Sequence, residues 1–203
     1  MKIEKWLRKW KNFSKNVPKG YNSLMILLIG ASASGKTEVA KLLKNLFGIK
    51  KAVTHTSRKP RPGEKDGIDY HFVSDEEFQS LYAEGKLLEN TLYNGNHYGC
   101  SKAELSDDKC VILDPNGLKA FLAQNNPRLI TFFLEASEET RRKRMAIRGD
   151  APEAIEKRIL TDRDAFSKEN VGETDFVIQT EGKELPEIAQ EVHEKYLNAL
   201  KDR

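Results

Sequence analysis

The chain has 203 residues, a length that favours one domain carrying an insertion over two full domains. Hydrophobic residues make up 38% and charged residues 32%, too even a mixture for a disordered chain, and the longest apolar run, Leu24–Ile29, is too short to span a membrane. The 34 basic and 31 acidic residues nearly balance, so overall charge selects no partner. Cys100 and Cys110 make neither a disulfide framework nor a zinc site, which points to a reduced, cytoplasmic setting.

Residues 1–22 read as a basic amphipathic extension. Seven basic residues (Lys2, Lys5, Arg8, Lys9, Lys11, Lys15 and Lys19) face Glu4 alone, and Ile3, Trp6, Leu7, Trp10 and Phe13 fall on one face of a helix that Pro18 and Gly20 stop. Docking of that face on the chain's own domain is favoured over a membrane surface. The segment LMILLIGASA imitates a secretory leader, but its apolar run is six residues and it continues into a more specific motif, so the leader is rejected.

Strand and helix then alternate. Strands are expected at Leu24–Ile29, Lys51–His55, Tyr70–Val73, Lys86–Tyr93, Lys109–Leu113, Leu129–Leu134 and Asp175–Gln179. Helices are expected at Thr37–Leu46, Asp75–Glu84, Gly117–Gln124, Ser137–Arg148, Pro152–Lys168 and Glu184–Leu200. Short apolar strands alternating with helices predict an α/β fold, a parallel sheet covered on both faces. Residues 56–100, with polar turns and a single helix, stand out as a small inserted subdomain.

Gly30-Ala31-Ser32-Ala33-Ser34-Gly35-Lys36-Thr37 satisfies G-x-x-x-x-G-K-[ST] directly after a strand and at the opening of a helix. Backbone N–H groups of such a loop, from Gly30 through Ser32, Ser34 and Gly35, cradle phosphate oxygens with help from the helix N-terminus. Lys36 reaches the β- and γ-phosphates, and the Thr37 hydroxyl ligates Mg²⁺. Asp114, closing the apolar run Val111-Ile112-Leu113, is a second candidate metal ligand, weighed against a helix cap. The motif therefore predicts binding of a nucleoside triphosphate with Mg²⁺.

The stretch Thr56-Ser57-Arg58-Lys59-Pro60-Arg61-Pro62-Gly63-Glu64 holds two arginines stiffened by prolines, and Tyr70 follows. A fixed pair of guanidinium forks with a tyrosine hydroxyl suits a second, separate phosphate. With T-S-R-x-x-R-x-G-E-x-x-G-x-D-Y-x-F-V-S at 56–74 and G-x-x-Y-G at 95–99, the sequence resembles the guanylate kinase family from about Met25 to the last helix.

The resemblance implies a P-loop NTPase core (23–53, 101–140 and 170–203), a mixed α/β GMP-binding insertion (54–100) and a helical lid (141–169) within a domain of 23–203. It implies that Arg58, Arg61, Tyr70 and Tyr98 hold the phosphate of GMP, that Thr54 and Glu89 address the base, and that Arg144, Arg148 and Arg158 act with Lys36 in catalysis. Guanine offers two adjacent donors that one carboxylate can accept, which makes the Glu89 role chemically apt. Arg141, Arg142 and Lys143 are left to solvent, and the four histidines to structural duty. Cys100 stands where a hydroxyl residue would help hold GMP, and Asn116 where the family carries a second acid. Ala31 and Ala33 depart from the family's proline and glycine, and Thr180 from an asparagine near the adenine. The implied reaction is phosphoryl transfer from ATP with Mg²⁺ to GMP by a monomer or homodimer, with no nucleic-acid partner. A kinase for another phosphorylated acceptor, or a guanylate-kinase-like binding module, are the alternatives.

Overall fold

The computed structural model describes residues 24–202, so the helix expected within residues 1–22 lies outside the described residues. The chain opens with β1 (Met25–Ile29), α1 (Lys36–Phe47), β2 (Lys50–Lys51), β3 (His55–Thr56), β4 (His71–Phe72) and α2 (Asp75–Ala83). The hairpin β5 (Thr91–Tyr93) and β6 (Asn96–Gly99) follows, then β7 (Lys109–Leu113), α3 (Pro115–Leu122) and β8 (Leu129–Glu135). Helices α4 (Glu138–Ile147), α5 (Pro152–Ala165) and α6 (Lys168–Val171), strand β9 (Phe176–Gln179) and helix α7 (Leu185–Asp202) complete it.

Five strands form a parallel sheet in the order β2-β7-β1-β8-β9. Every residue of β1 is buried, and its side chains alternate between two cores. Ile26 and Leu28 pack with Val39 and Leu43 of α1 and Ile188 and Val192 of α7. Leu27 and Ile29 face the other way, against Leu118 and Phe121 of α3. Each such side chain removed from water contributes roughly 1.5–3 kcal/mol, which makes this sheet the foundation of the molecule. The fold is the parallel, helix-flanked α/β architecture that the alternating pattern predicts.

The second sheet, β4-β3-β6-β5, is mixed and thin, with strands of two to four residues. Phe78 of α2 is its fully buried anchor, and a Ser74–Glu77 capping box starts that helix.

Several expected boundaries change, and three of them bear on the site. The single strand expected at Lys51–His55 is two: Lys50–Lys51 belongs to the parallel sheet, His55–Thr56 to the mixed one, and Ala52–Thr54 carries the chain between them. The strand expected over Lys86–Tyr93 shrinks to Thr91–Tyr93, with an isolated bridge at Leu87, and pairs through a tight turn with the unexpected β6. Asn94 and Gly95 both take positive φ there, 49° and 73°, the conformation a two-residue hairpin demands. Helix α3 begins at Pro115, two residues early, because Asp114 caps it through the Gly117 N–H at 2.9 Å and proline suits the first helical position.

Candidate active site

A cleft of about 430 Å³ opens between the two sheets and the helices α4 and α5. On one side lies the loop between β1 and α1. Gly30 is required there by close approach: a Cβ would sit 2.4 Å from the Leu134 carbonyl oxygen. Ala33 holds φ 62°, so the loop keeps a left-handed residue even though this chain supplies a Cβ. Ser34 is buried beneath the loop, and its hydroxyl finds no partner among the described residues.

Lys36 donates to the Gly30 carbonyl and, at 2.9 Å, to that of Ala31. Burial drives its pKa down to about 8, against the opposing pull of Asp162 and Asp114. Thr37 and Asp114 both border the cleft, and burial raises the Asp114 pKa despite N–H bonds from Gly117 and Asn116. A hydroxyl and one carboxylate fit an ion that shares phosphate oxygens with its ligand, and among the described residues no cluster of three or more His, Cys, Asp or Glu forms a metal site of its own.

Across the cleft the mixed sheet presents Thr54, Tyr70, Glu89 and Tyr98, with Arg58 and Arg61 on the loop after β3. Glu64 builds that loop: its carboxylate accepts both Arg58 Nη2 contacts at 3.0 Å and the Arg61 N–H at 2.7 Å. The Arg58 guanidinium also lies over the Tyr70 ring, 5.4 Å from its centroid. Glu89 is 7% exposed. It accepts the Cys100 N–H at 2.7 Å and the Thr91 hydroxyl at 3.2 Å, and burial pushes its pKa up to about 7. Cys100 acts on this site through its backbone, for the buried thiol turns to the Ser101 carbonyl at 3.6 Å. Asn116 is exposed on the first turn of α3 and does not border the cleft.

The third wall is arginine-rich. Arg144 ties α4 to the phosphate loop, donating to Ala33 O at 3.2 Å and to Thr180 O at 2.9 Å. Thr180 is buried and bonded to Glu135 O, away from the cleft lining. Arg148 and Arg158 both donate to Asp150 in the turn between α4 and α5. Arg148 borders the cleft, and Arg158 joins it through the shared Asp150 carboxylate. The Arg61 pKa is lowered by burial and by the positive charges of Arg58, Arg148 and Arg158, against the opposing pull of Glu64. Glu64 and Asp150 neutralise part of this positive charge, the first through Arg58 and the second through Arg148 and Arg158.

One sequence expectation is corrected here. Arg141 does not face solvent; it is 5% exposed and pairs with buried Asp162 at 2.9 Å. Arg142 and Lys143 are surface residues in i,i+4 pairs, as expected. Of the histidines, His193 stacks on Phe47 at 3.9 Å, and the His55 and His71 rings are neighbours at 4.6 Å. Sequence reasoning missed Glu64 as the organiser of the arginine pair and missed Tyr93 and Asp162, which border or back the cleft. The Asn94-Gly95 pair was a readable signal for the hairpin that carries Tyr93, whereas no local pattern marks Asp162.

The family model for guanylate kinase matches residues 22–199. A guanylate kinase of Alkalilimnicola ehrlichii is 37% identical over 136 residues, 63% of this chain and 67% of that one. A guanylate kinase of Streptomyces kasugaensis is 31% identical over 87% of this chain and 88% of its own. The crystal structure of guanylate kinase from Anaplasma phagocytophilum superposes with a TM-score of 0.67 at 27% identity, covering 88% of this chain and 86% of that one. With a phosphate loop, an arginine pair and a buried carboxylate meeting in one cleft, the chain belongs to the guanylate kinase family.

Proposed function

We propose that the chain transfers the γ-phosphoryl group of ATP to GMP or dGMP, giving ADP and GDP, with the cleft holding both nucleotides at once. The observation that carries this reading is that Arg58, Arg61 and Arg148 line the same cavity as Lys36 of the phosphate loop. In this reading residues 54–100 form the acceptor-binding part, 141–169 the lid, and the remaining segments the core.

The loop from Gly30 to Thr37, Ser32 and Ser34 included, cradles the donor's phosphates, and Lys36 follows the charge that develops on the transferred group. Thr37 and Asp114 are the residues that would hold Mg²⁺. Its chemistry is neutralisation of phosphate charge. Arg58, Arg61, Tyr70 and Tyr98 fix the acceptor phosphate, whose oxygen attacks the γ-phosphorus as the bond to the β-phosphate bridging oxygen breaks. The attacking phosphate has a second pKa of about 6, so it is largely ionised near neutral pH and no catalytic base has to remove a proton. Glu89 accepts the guanine ring N–H and amino hydrogens, with Thr54 beside it and the Cys100 N–H orienting the carboxylate. Arg144, Arg148 and Arg158 supply charge from the lid. The two buried free thiols suit the reducing cytoplasm.

A coupled ADP-release assay across GMP, dGMP, AMP, CMP and UMP tests the reading. Turnover stimulated by GMP and dGMP alone is expected. Equal stimulation by another monophosphate would assign a different acceptor, and ATP binding without stimulated turnover would leave a binding module.

A further inference from the structure

Asp162 on α5 is 1% exposed and gathers groups from three separate parts of the chain. Its Oδ2 accepts the Ser32 N–H of the phosphate loop at 2.7 Å and the Arg141 guanidinium of α4 at 2.9 Å. Its Oδ1 accepts the hydroxyl of Tyr93, which reaches across from β5, and the Ser32 hydroxyl stands 3.3 Å from the same phenol oxygen. The Tyr93 ring meets Tyr98 of the acceptor side edge-on at 6.4 Å and Phe166, at the end of α5, at 6.2 Å. One carboxylate thus takes hydrogen bonds from the donor loop, the acceptor sheet and the arginine-bearing helix.

We infer that Tyr93 and Asp162 are positioning residues for phosphoryl transfer: their hydrogen bond registers the acceptor sheet against the phosphate loop. The inference rests on the reading of the cleft given above. Phosphoryl transfer asks little covalent chemistry of a protein and much alignment, so a small slip between acceptor and donor lowers the rate far more than it lowers binding. Tyr93 is suited to this duty. It is half-buried on a hairpin next to a tight turn, and its hydroxyl joins that hairpin to α5 and the phosphate loop rather than to either core.

Steady-state kinetics of the full chain with Mg–ATP and GMP, alongside thermal unfolding, tests this with Y93F, D162N and the double variant. Removing the single hydroxyl in Y93F is expected to lower kcat about tenfold, the effect of a lost bond to a charged group. KM for both nucleotides is expected to stay within threefold, and the melting temperature within about 2 °C. Because the bond that Y93F removes is among those that D162N weakens, the double variant is expected to lose no more than the worse single variant, within twofold. A Y93F kcat within twofold of the parent, a rate loss matched by a fall of several degrees in melting temperature, or losses that multiply in the double variant would each overturn the inference. If D162N fails to fold because Arg141 loses its partner, Y93F alone decides. A parent protein with no GMP-stimulated turnover would overturn the functional reading, and this inference with it; an active parent beside an unaffected Y93F overturns the inference alone.

Discussion

The two sides of the cleft are built in opposite ways. The donor side is one unbroken stretch, Gly30–Thr37, set on a β1 whose five residues are all buried. The acceptor side is assembled from Thr54, Arg58, Arg61, Tyr70, Glu89 and Tyr98, of which only Tyr98 lies within a strand; the others sit on the segments flanking strands of two to four residues. Its order comes from polar contacts, above all the Glu64 carboxylate that holds Arg58 and the Arg61 backbone together. The donor side therefore draws rigidity from apolar packing, and the acceptor side draws it from hydrogen bonds that a ligand can reinforce or compete with.

If that division is real, each side should fail alone. K36M removes the cation that meets the transferred group, and kcat is expected to fall about 10³-fold, the upper range for losing one preorganised charge-stabilising donor. GMP affinity by calorimetry is expected to stay within threefold. A parallel collapse of GMP binding would break the comparison.

Glu89 provides the next largest effect. E89Q is expected to reduce kcat/KM for GMP about 10²-fold while leaving ATP binding little changed, since one carboxylate accepts two guanine donors. The pH dependence has a defined sign. Burial raises the folded pKa from 4.5 to about 7, so the folded chain holds the proton more tightly than the unfolded chain. The favourable contribution to stability is present below about pH 4.5 and is lost as pH rises through 7. GMP requires the ionised form, so binding should tighten between pH 6 and 8 in the parent by more than in E89Q, where only the phosphate of GMP, with a pKa of about 6, still titrates. Equal pH profiles would contradict the assignment.

G99A probes the packing beneath that carboxylate. A Cβ at Gly99 would meet Glu89 O at 2.6 Å and Phe78 Cζ at 2.8 Å, so the hairpin must shift away from Glu89. A stability loss of about 1–3 kcal/mol in denaturant unfolding, with roughly tenfold weaker GMP binding, is expected. The smallest effect belongs to A33G on the donor side. Relief of a left-handed alanine, worth about 1–2 kcal/mol, is offset by the 0.5–1 kcal/mol backbone entropy cost of glycine, leaving a net gain of about 0.5 kcal/mol.

The contrast between the two sides also explains what could be read in advance. The phosphate loop was legible because its function resides in consecutive residues between a strand and a helix. The alternation of strands and helices likewise exposed the parallel sheet, since burial on both faces leaves continuous apolar runs such as Met25–Ile29. The mixed sheet was harder. At Lys51–His55 one polar-flanked run conceals a change of sheet, and β6, Asn-His-Tyr-Gly, carries no apolar periodicity. Arg141 and Asp162 were illegible for a different reason. A charged residue on a helix reads as solvated unless its partner is known, and that partner lies on another helix. Glu89 entered through resemblance alone; its burial and raised pKa are products of the tertiary fold.

The central claim is that one cleft holds donor and acceptor together, and a bisubstrate ligand measures it most directly. Calorimetric titration with adenosine and guanosine joined through a pentaphosphate bridge should give one molecule bound per chain, displaced by either ATP or GMP. Displacement by ATP alone, with GMP unable to compete at any concentration, would show that the two arginine-rich walls do not close on a shared pair of substrates, and would contradict the account.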